Sequence, residues 1–243
     1  GLMNASITYN SASSIFTIIY KSNNSKFIRE LFWFLYSFKA LQNQPLLMQN
    51  LYSTKDFLLS REDKEKLLNQ KGICIWLTGL SGSGKTTIAN YVSRQLHDNG
   101  IYTQVLDGDN IRLGINKNLS FSDQDRQENI RRIAEVTKLF VDAGVVTFCC
   151  FVSPTHKMRT LAKNVIGEND FFEVFVATNL ETCEIRDVKG LYKKARKGEI
   201  KDFTGVSSPF ENPVSPDLVL DSENKSINEI GETLISVLKN KLK

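Results

Sequence analysis

The stretch Gly79-Leu-Ser-Gly-Ser-Gly-Lys-Thr86 constrains this chain more than any other part of its 243 residues. Its glycines open backbone conformations closed to other residues, so successive N–H groups can converge on one hollow. The run before it, Ile73-Cys-Ile-Trp-Leu-Thr78, is short and apolar and predicts a buried strand. After it, residues 84–98 place Ile88, Ala89, Val92 and Leu96 on one helical face, and Gly100 supplies a stop signal. A strand, a glycine-rich loop and a helix start in that order make an anion site, because unpaired N–H groups and the helix dipole both favour negative charge. The pattern G-x-x-x-x-G-K-[ST] therefore reads as a P-loop. Gly79, Leu80, Ser81, Gly82, Ser83, Gly84, Lys85 and Thr86 are the expected ATP-binding residues. Lys85 is expected to reach the β- and γ-phosphates and Thr86 to ligate Mg²⁺.

The rest of the chain alternates strand and helix signals. Glu62 to Leu68 reads as a short helix, and Tyr102 to Leu106 as a second strand ending in Asp107-Gly-Asp109. Ser122-Asp123 opens a long helix whose Ile130, Ile133, Ala134, Phe140 and Val141 recur at helical steps, with Gly144 at its end. Val145 to Val152 is an apolar run broken by Thr147 alone, as in strands covered on both faces. Phe171 to Ala177 and Leu218 to Leu220 are further strands, and Ile227 to Leu238 is a closing helix. Strands separated by helices imply right-handed crossovers. The expected class is α/β: a three-layer P-loop kinase sandwich, its five-stranded, mostly parallel sheet covered by helices on both faces and closed by a basic lid.

Composition and charge remove other classes. The chain is 41% hydrophobic and 24% charged, ordinary for a folded domain. Of the net charge of +4, residues 1–47 hold +3 (Lys21, Lys26, Arg29 and Lys39 against Glu30). The nearly neutral remainder argues against a nucleic-acid binder. His97 and His156 are the two histidines, too few for a His-rich metal site. Cys74, Cys149, Cys150 and Cys183 form no C-x-x-C pair, which fits reduced thiols in a cytosol-like compartment.

Residues 1–47 differ: Ser- and Asn-rich, acid-poor, without regular periodicity. The aromatic cluster Leu31-Phe-Trp-Phe-Leu-Tyr-Ser-Phe38 is too short for a membrane span and late for a signal peptide. Three readings stand: an organelle transit segment, a short helix packed on the body, or sequence upstream of a natural start at Met48, the last being preferred. The expected organisation is an extension, 1–47, and a kinase domain, 48–243.

A P-loop does not choose a phosphate acceptor; its neighbours must. No N-K-x-D guanine signature occurs, which disfavours a GTPase. Asp107-Gly-Asp-Asn-Ile-Arg112 sets carboxylates and a guanidinium at a strand's carboxyl end, where open α/β sheets bind ligands. Asp107 is a candidate to accept a hydroxyl proton or to hold a Mg²⁺-bound water. Arg126 and Asn129 share one helical face, and Phe121 before that helix suits stacking on a ring. Ser153-Pro154 reads as an N-cap and N1 pair at the ligand edge. Residues 189–205 carry six basic and two acidic side chains, expected to close over phosphates as a lid.

Together these segments resemble the adenylyl-sulfate kinases. The matching stretches are GLSGSGKT, DGDNIR, the region from GINKNLSFS to DRQENIRRIAEV, the FVSP turn, and RDVKGLYKKARKGEI with DFTG. The resemblance implies ATP with Mg²⁺ as donor, adenosine 5′-phosphosulfate (APS) as acceptor, and 3′-phosphoadenylyl sulfate as product. It assigns Asp109, Asn110, Ile111, Arg112, Phe121, Arg126, Asn129, Val152, Ser153, Lys189 and Phe203 to APS, with Phe203 stacking on the adenine. Lys85, Asp107 and Ser153 are the catalytic candidates. Ser153 matches a serine described in the family as a phosphoserine intermediate, a step that in-line transfer does not require. The resemblance also implies a homodimer and an ATP sulfurylase as candidate partner, in a stand-alone kinase.

The sequence departs from the family at Thr155-His156, where an aromatic-Arg pair is usual, so an anion contact is expected to be missing there, although Arg159 remains one turn later. Ser120 replaces a glycine. Two alternatives stay open: another small-metabolite or nucleotide kinase, and a non-catalytic nucleotide-binding subunit of a sulfate-activating complex.

Overall fold

The computed structural model describes residues 6–10, 15–19, 52 and 57–243. The chain forms two compact units, Gly1–Leu58 and Leu59–Lys243. In the first, β1 (Ser6–Asn10) and β2 (Ile15–Ile19) pair antiparallel. Their Ile, Thr, Tyr and Phe content suits strands, but ten residues gave too short a window to reveal the pairing. The Leu31–Phe38 cluster and Met48 lie outside the described residues.

The second unit opens with α1 (Arg61–Leu68), capped by Ser60. Then come β3 (Ile73–Thr78), α2 (Lys85–Asp98), β4 (Thr103–Asp107) and α3 (Gly108–Leu113). A long α4 (Asp123–Asp142) precedes β5 (Val146–Cys150), α5 (His156–Ile166) and β6 (Phe171–Ala177). The chain continues through α6 (Leu180–Arg186), α7 (Leu191–Arg196), β7 (Leu218–Asp221) and α8 (Ile227–Leu238). The sheet order is β4-β5-β3-β6-β7 and every pairing is parallel.

Strand alternation divides the core into two layers. Ile73, Ile75 and Leu77 of β3 pack with Val146, Phe148 and Val174 under Ile88, Val92, Ile230 and Leu234 of α2 and α8. Cys74 and Trp76 face the other way, against Ile130, Ile133, Met158 and Ala162 of α4 and α5. With layers on both faces, all six residues of β3 are buried, which explains its unbroken apolar run. The expected three-layer sandwich is what forms.

Several boundaries differ from the sequence reading. The second strand starts at Thr103 and includes Asp107, and the Val145–Val152 run is strand only over Val146–Cys150. Ser153-Pro154 is not a cap pair. Helix α5 is capped by Thr155, whose hydroxyl accepts from Met158 N–H at 3.3 Å. Ser153 cannot serve because its backbone is left-handed (φ 38°) and its hydroxyl is bonded inside the sheet layer. Helix α6, capped by Asn179, falls between the strand and lid signals and is not among the elements the sequence predicts.

Register brings the working residues together. Asp107 pairs with Cys150, Leu77 with Cys150, Thr78 with Phe175 and Ala177 with Asp221, so the carboxyl ends of all five strands lie along one edge. Each of the loops that follow them starts there.

Candidate active site

Between β3 and α2 the loop turns through positive φ at Gly79 (148°), Gly82 (76°) and Gly84 (97°), which L side chains rarely adopt. Lys85 is buried. Its Nζ donates to Gly79 O (2.9 Å), Leu80 O (2.7 Å) and Ser83 Oγ (3.3 Å), all neutral acceptors. Burial pushes its pKa down to about 8. Thr86 Oγ1, at the first turn of α2, donates to Asp107 Oδ2 at 2.7 Å. The other Asp107 oxygen caps α3, accepting from Asp109 N–H at 3.0 Å.

Across the edge, α3 and the start of α4 build a second basic lobe. Arg112 lies over the Phe121 ring at 4.3 Å, and Arg126 approaches the same ring at 6.0 Å. Desolvation, then the nearby Arg126 charge, lower the Arg112 pKa, so an anion there would be welcome. Arg126 also donates to Phe121 O (2.7 Å), Asp202 O (2.6 Å) and Thr204 Oγ1 (3.2 Å). It thereby ties α4 to the segment after the lid helix. Ser120 takes up its departure from glycine locally: its N–H and O–H both go to Asp125.

The remaining expected residues divide. Lys189 pairs with Asp109. Asn129 is buried and accepts from Asn116 Nδ2 at 3.0 Å. Ile111 packs at the margin of the α4–α5 core, and Asn110 is exposed beside it on α3. Val152 O accepts from Thr78 Oγ1 at 2.8 Å. Ser153 is 2% exposed; its Oγ accepts from Trp76 Nε1 at 3.1 Å and donates to Thr78 Oγ1 at 2.9 Å. Phe203 meets the Tyr192 ring edge-on, centroids 5.0 Å apart.

Arg159, one turn after the Thr155-His156 departure, is engaged within the fold. It is 4% exposed and bound to Ser153 O (2.8 Å), Glu211 O (2.8 Å) and the Glu173 carboxylate (3.0 Å). A guanidinium in that position braces the turn. Residues missed from sequence include Tyr192, whose hydroxyl donates to Ser81 O at 2.8 Å. Arg186 was missed too; it bonds Ser222 O at 2.6 Å beneath the loop. Tyr192 and Ala195, three apart on a basic helix, were the available sign of a buried face.

A cleft of about 900 Å³ opens beside Leu80 on the β6–β7 side, lined by Phe175, Thr178, Gly205, Phe210 and Glu223. The fold and this edge define a P-loop phosphotransferase acting on a small molecule: a phosphate cradle next to a compact basic lobe, with α7 seated on the cradle through Tyr192. Comparison narrows the class. The model of the adenylylsulphate kinase family matches residues 71–221, and the chain belongs to that family. It is 56% identical over 189 residues to an adenylyl-sulfate kinase of Bacteroides fragilis, spanning 78% of this chain and 94% of that protein. One from Prochlorococcus marinus is 55% identical over 180 residues, 74% of this chain and 90% of that protein. The structure of a Mycobacterium tuberculosis APS kinase with AMPPNP and APS superposes at a TM-score of 0.67. The two chains are 47% identical, over 70% of this chain and 98% of that one.

Proposed function

We propose that this chain transfers the γ-phosphoryl group of ATP to the 3′-hydroxyl of APS, giving 3′-phosphoadenylyl sulfate and ADP. A bond forms between the 3′-oxygen and phosphorus, the bond from phosphorus to the β-bridging oxygen breaks, and the hydroxyl proton leaves. The observation that carries this reading is the pairing of two basic lobes on one sheet edge. Among the described residues, Lys85 Nζ donates to neutral acceptors alone, and Phe121 is flanked by Arg112 and Arg126. The first lobe suits the donor's phosphates. The second suits a nucleotide that presents both a ring and anionic groups. Membership of the adenylylsulphate kinase family supports the same acceptor.

In this reading the P-loop and Lys85 hold the β- and γ-phosphates. Arg112, Phe121, Arg126, Asn129 and Phe203 hold APS, with Asp109, Asn110, Ile111, Val152, Ser153 and Lys189 around them. Asp107 is the nearest carboxylate to Thr86 and the candidate to take the proton. Thr86 and Asp107 offer hard oxygen donors of the kind Mg²⁺ prefers, and the ion characteristically completes its shell with phosphates and water. When bound, it neutralises charge on the transferring group. Ser153 acts in positioning, since its hydroxyl is already committed to Trp76 and Thr78.

We take a homodimer as the working assembly, an ATP sulfurylase as candidate partner, residues 48–243 as the catalytic domain and a cytosol-like compartment as the location. Four free, buried thiols fit that compartment, and no helix of the described residues is long and apolar enough to cross a membrane. The test is turnover by the full chain with Mg·ATP and APS, following ADP and 3′-phosphoadenylyl sulfate together. Equimolar formation is expected. A folded, ATP-binding sample that leaves APS unchanged overturns the reading.

A further inference from the structure

Tyr192 joins the P-loop to the Phe203 segment that Arg126 holds, and no part of the mechanism above uses it. Its phenol is buried at 2% exposure in the middle of an otherwise basic helix. The hydroxyl reaches the P-loop, donating to Ser81 O at 2.8 Å. The ring lies edge-on to Phe203, the ring assigned to the acceptor's adenine. One rigid side chain therefore touches the donor loop at one end and the acceptor wall at the other.

Its surroundings hold it in place. Asp187 caps the start of α7, accepting from Tyr192 N–H and Lys193 N–H at 3.0 Å each. Beyond α7, Arg126 donates to the Asp202 carbonyl and the Thr204 hydroxyl, holding the residues on both sides of Phe203. Gly205 then passes so close to Leu80 that a Cβ there would sit 3.1 Å from the leucine's methyl. The segment after the lid helix is thus seated on both the acceptor helix and the donor loop.

The hydrogen bond has a directional consequence. In a trans peptide the C=O and the next N–H point in opposite directions. Holding Ser81 O toward Tyr192 points the Gly82 N–H away from Tyr192, from the opposite edge of that peptide. Gly82 lies in the phosphate-binding stretch, so the phenol sets the aim of one of its donors.

We propose that Tyr192 is a positioning residue that couples the nucleotide loop to the acceptor wall, so that each substrate favours the arrangement the other needs. This rests on the functional reading above. It goes beyond that reading by assigning the coupling to one side chain.

The test compares the full chain with Tyr192→Phe, which keeps the ring against Phe203 and removes only the hydroxyl. Affinity for a non-hydrolysable ATP analogue with Mg²⁺ is measured with and without APS, and KM and kcat are measured for both substrates. Loss of one net hydrogen bond predicts about three- to tenfold weaker nucleotide binding. It also predicts a smaller factor by which bound nucleotide tightens APS. Phe203→Ala added to Tyr192→Phe should reduce that factor little further, since both sit on one connection. Wild-type affinities and an unchanged coupling factor in Tyr192→Phe overturn the inference, as does full additivity of the two substitutions. A fall in melting temperature with the coupling factor intact also overturns it, assigning Tyr192 a purely structural role. If the unmodified chain binds nucleotide but does not turn over APS, the functional reading fails by itself. Nucleotide affinity then decides the Tyr192 inference, with an unchanged value in Tyr192→Phe counting against it.

Discussion

Thr86 Oγ1 and Asp107 Oδ2 are joined by a 2.7 Å hydrogen bond between the start of α2 and the end of β4. The bond joins the phosphate cradle, to which Thr86 belongs, to the basic lobe that opens after Asp107. The carboxylate makes two contacts, capping α3 and accepting from the Thr86 hydroxyl; in the proposed mechanism it also takes the acceptor's proton.

Asp107→Asn separates those tasks. Asparagine is as good an N-cap as aspartate, so the melting temperature should hold. The loss of charge should lower kcat by about 10²-fold or more, the scale of a lost acid–base or charge-positioning group. Steady-state kinetics across a Mg²⁺ titration, beside a thermal melt, checks both halves. Wild-type kcat at saturating Mg²⁺ would remove Asp107 from the mechanism.

Lys85 gives a pH prediction with a fixed sign. Burial lowers its pKa to about 8 in the ligand-free chain. Phosphates prefer the charged ammonium, so nucleotide binding must take up a proton once the free group has lost it. Affinity for Mg·ATP should be flat below about pH 8 and should fall by about tenfold per pH unit above it, until the pKa of the bound state is reached. Calorimetric titration with a non-hydrolysable analogue from pH 7 to 10 measures this. Lys85→Met should flatten the profile and cost several kcal/mol in kcat/KM.

Arg126→Ala should act on one substrate. It removes a guanidinium from the Phe121 ring and frees Asp202 O and Thr204 Oγ1. APS affinity should fall by roughly ten- to a hundredfold, the range for charge-assisted hydrogen bonds. ATP affinity should move far less. Direct binding of each ligand tells them apart, and an equal loss for both would contradict the assignment.

Ser153→Ala tests whether that hydroxyl carries phosphate. Its removal leaves the Trp76 N–H without an acceptor in the core, at a cost of about 1–3 kcal/mol. The melting temperature should drop by several degrees. Turnover should stay within about tenfold of the unmodified chain. Abolished turnover in a sample that melts normally would restore the covalent route.

Legibility followed the range of the forces involved. The P-loop could be read because it combines three local requirements within eight residues: permissive backbone, a helix start and a cation. Helix α4 and strand β3 could be read because long periodic or unbroken apolar runs leave few alternatives. The limits of α8 matched the reading, helped by a Ser226–Glu229 capping box. Arg159 could not be read, since its partners Glu173 and Glu211 are distant in sequence. Ser153 looked like a cap because Ser-Pro is a local signal, and a buried bond to Trp76 overrode it. Tyr192 was hidden in a charge run whose exposed lysines dominate its composition, while its two contacts lie on other segments.

The place of β3 in the sheet has a consequence for biosynthesis. The strand that carries the cradle is central, and its partners are β5 and β6: Cys74 pairs with Thr147 and Phe171. A ribosome delivers β3 long before either neighbour. Until they emerge, its five apolar residues, Ile73 to Leu77, have no sheet to join. The central strand beneath the cradle is therefore paired on both sides only after Ala177 has been made. The nascent chain meanwhile exposes an aggregation-prone strand, the kind of segment that chaperones shield.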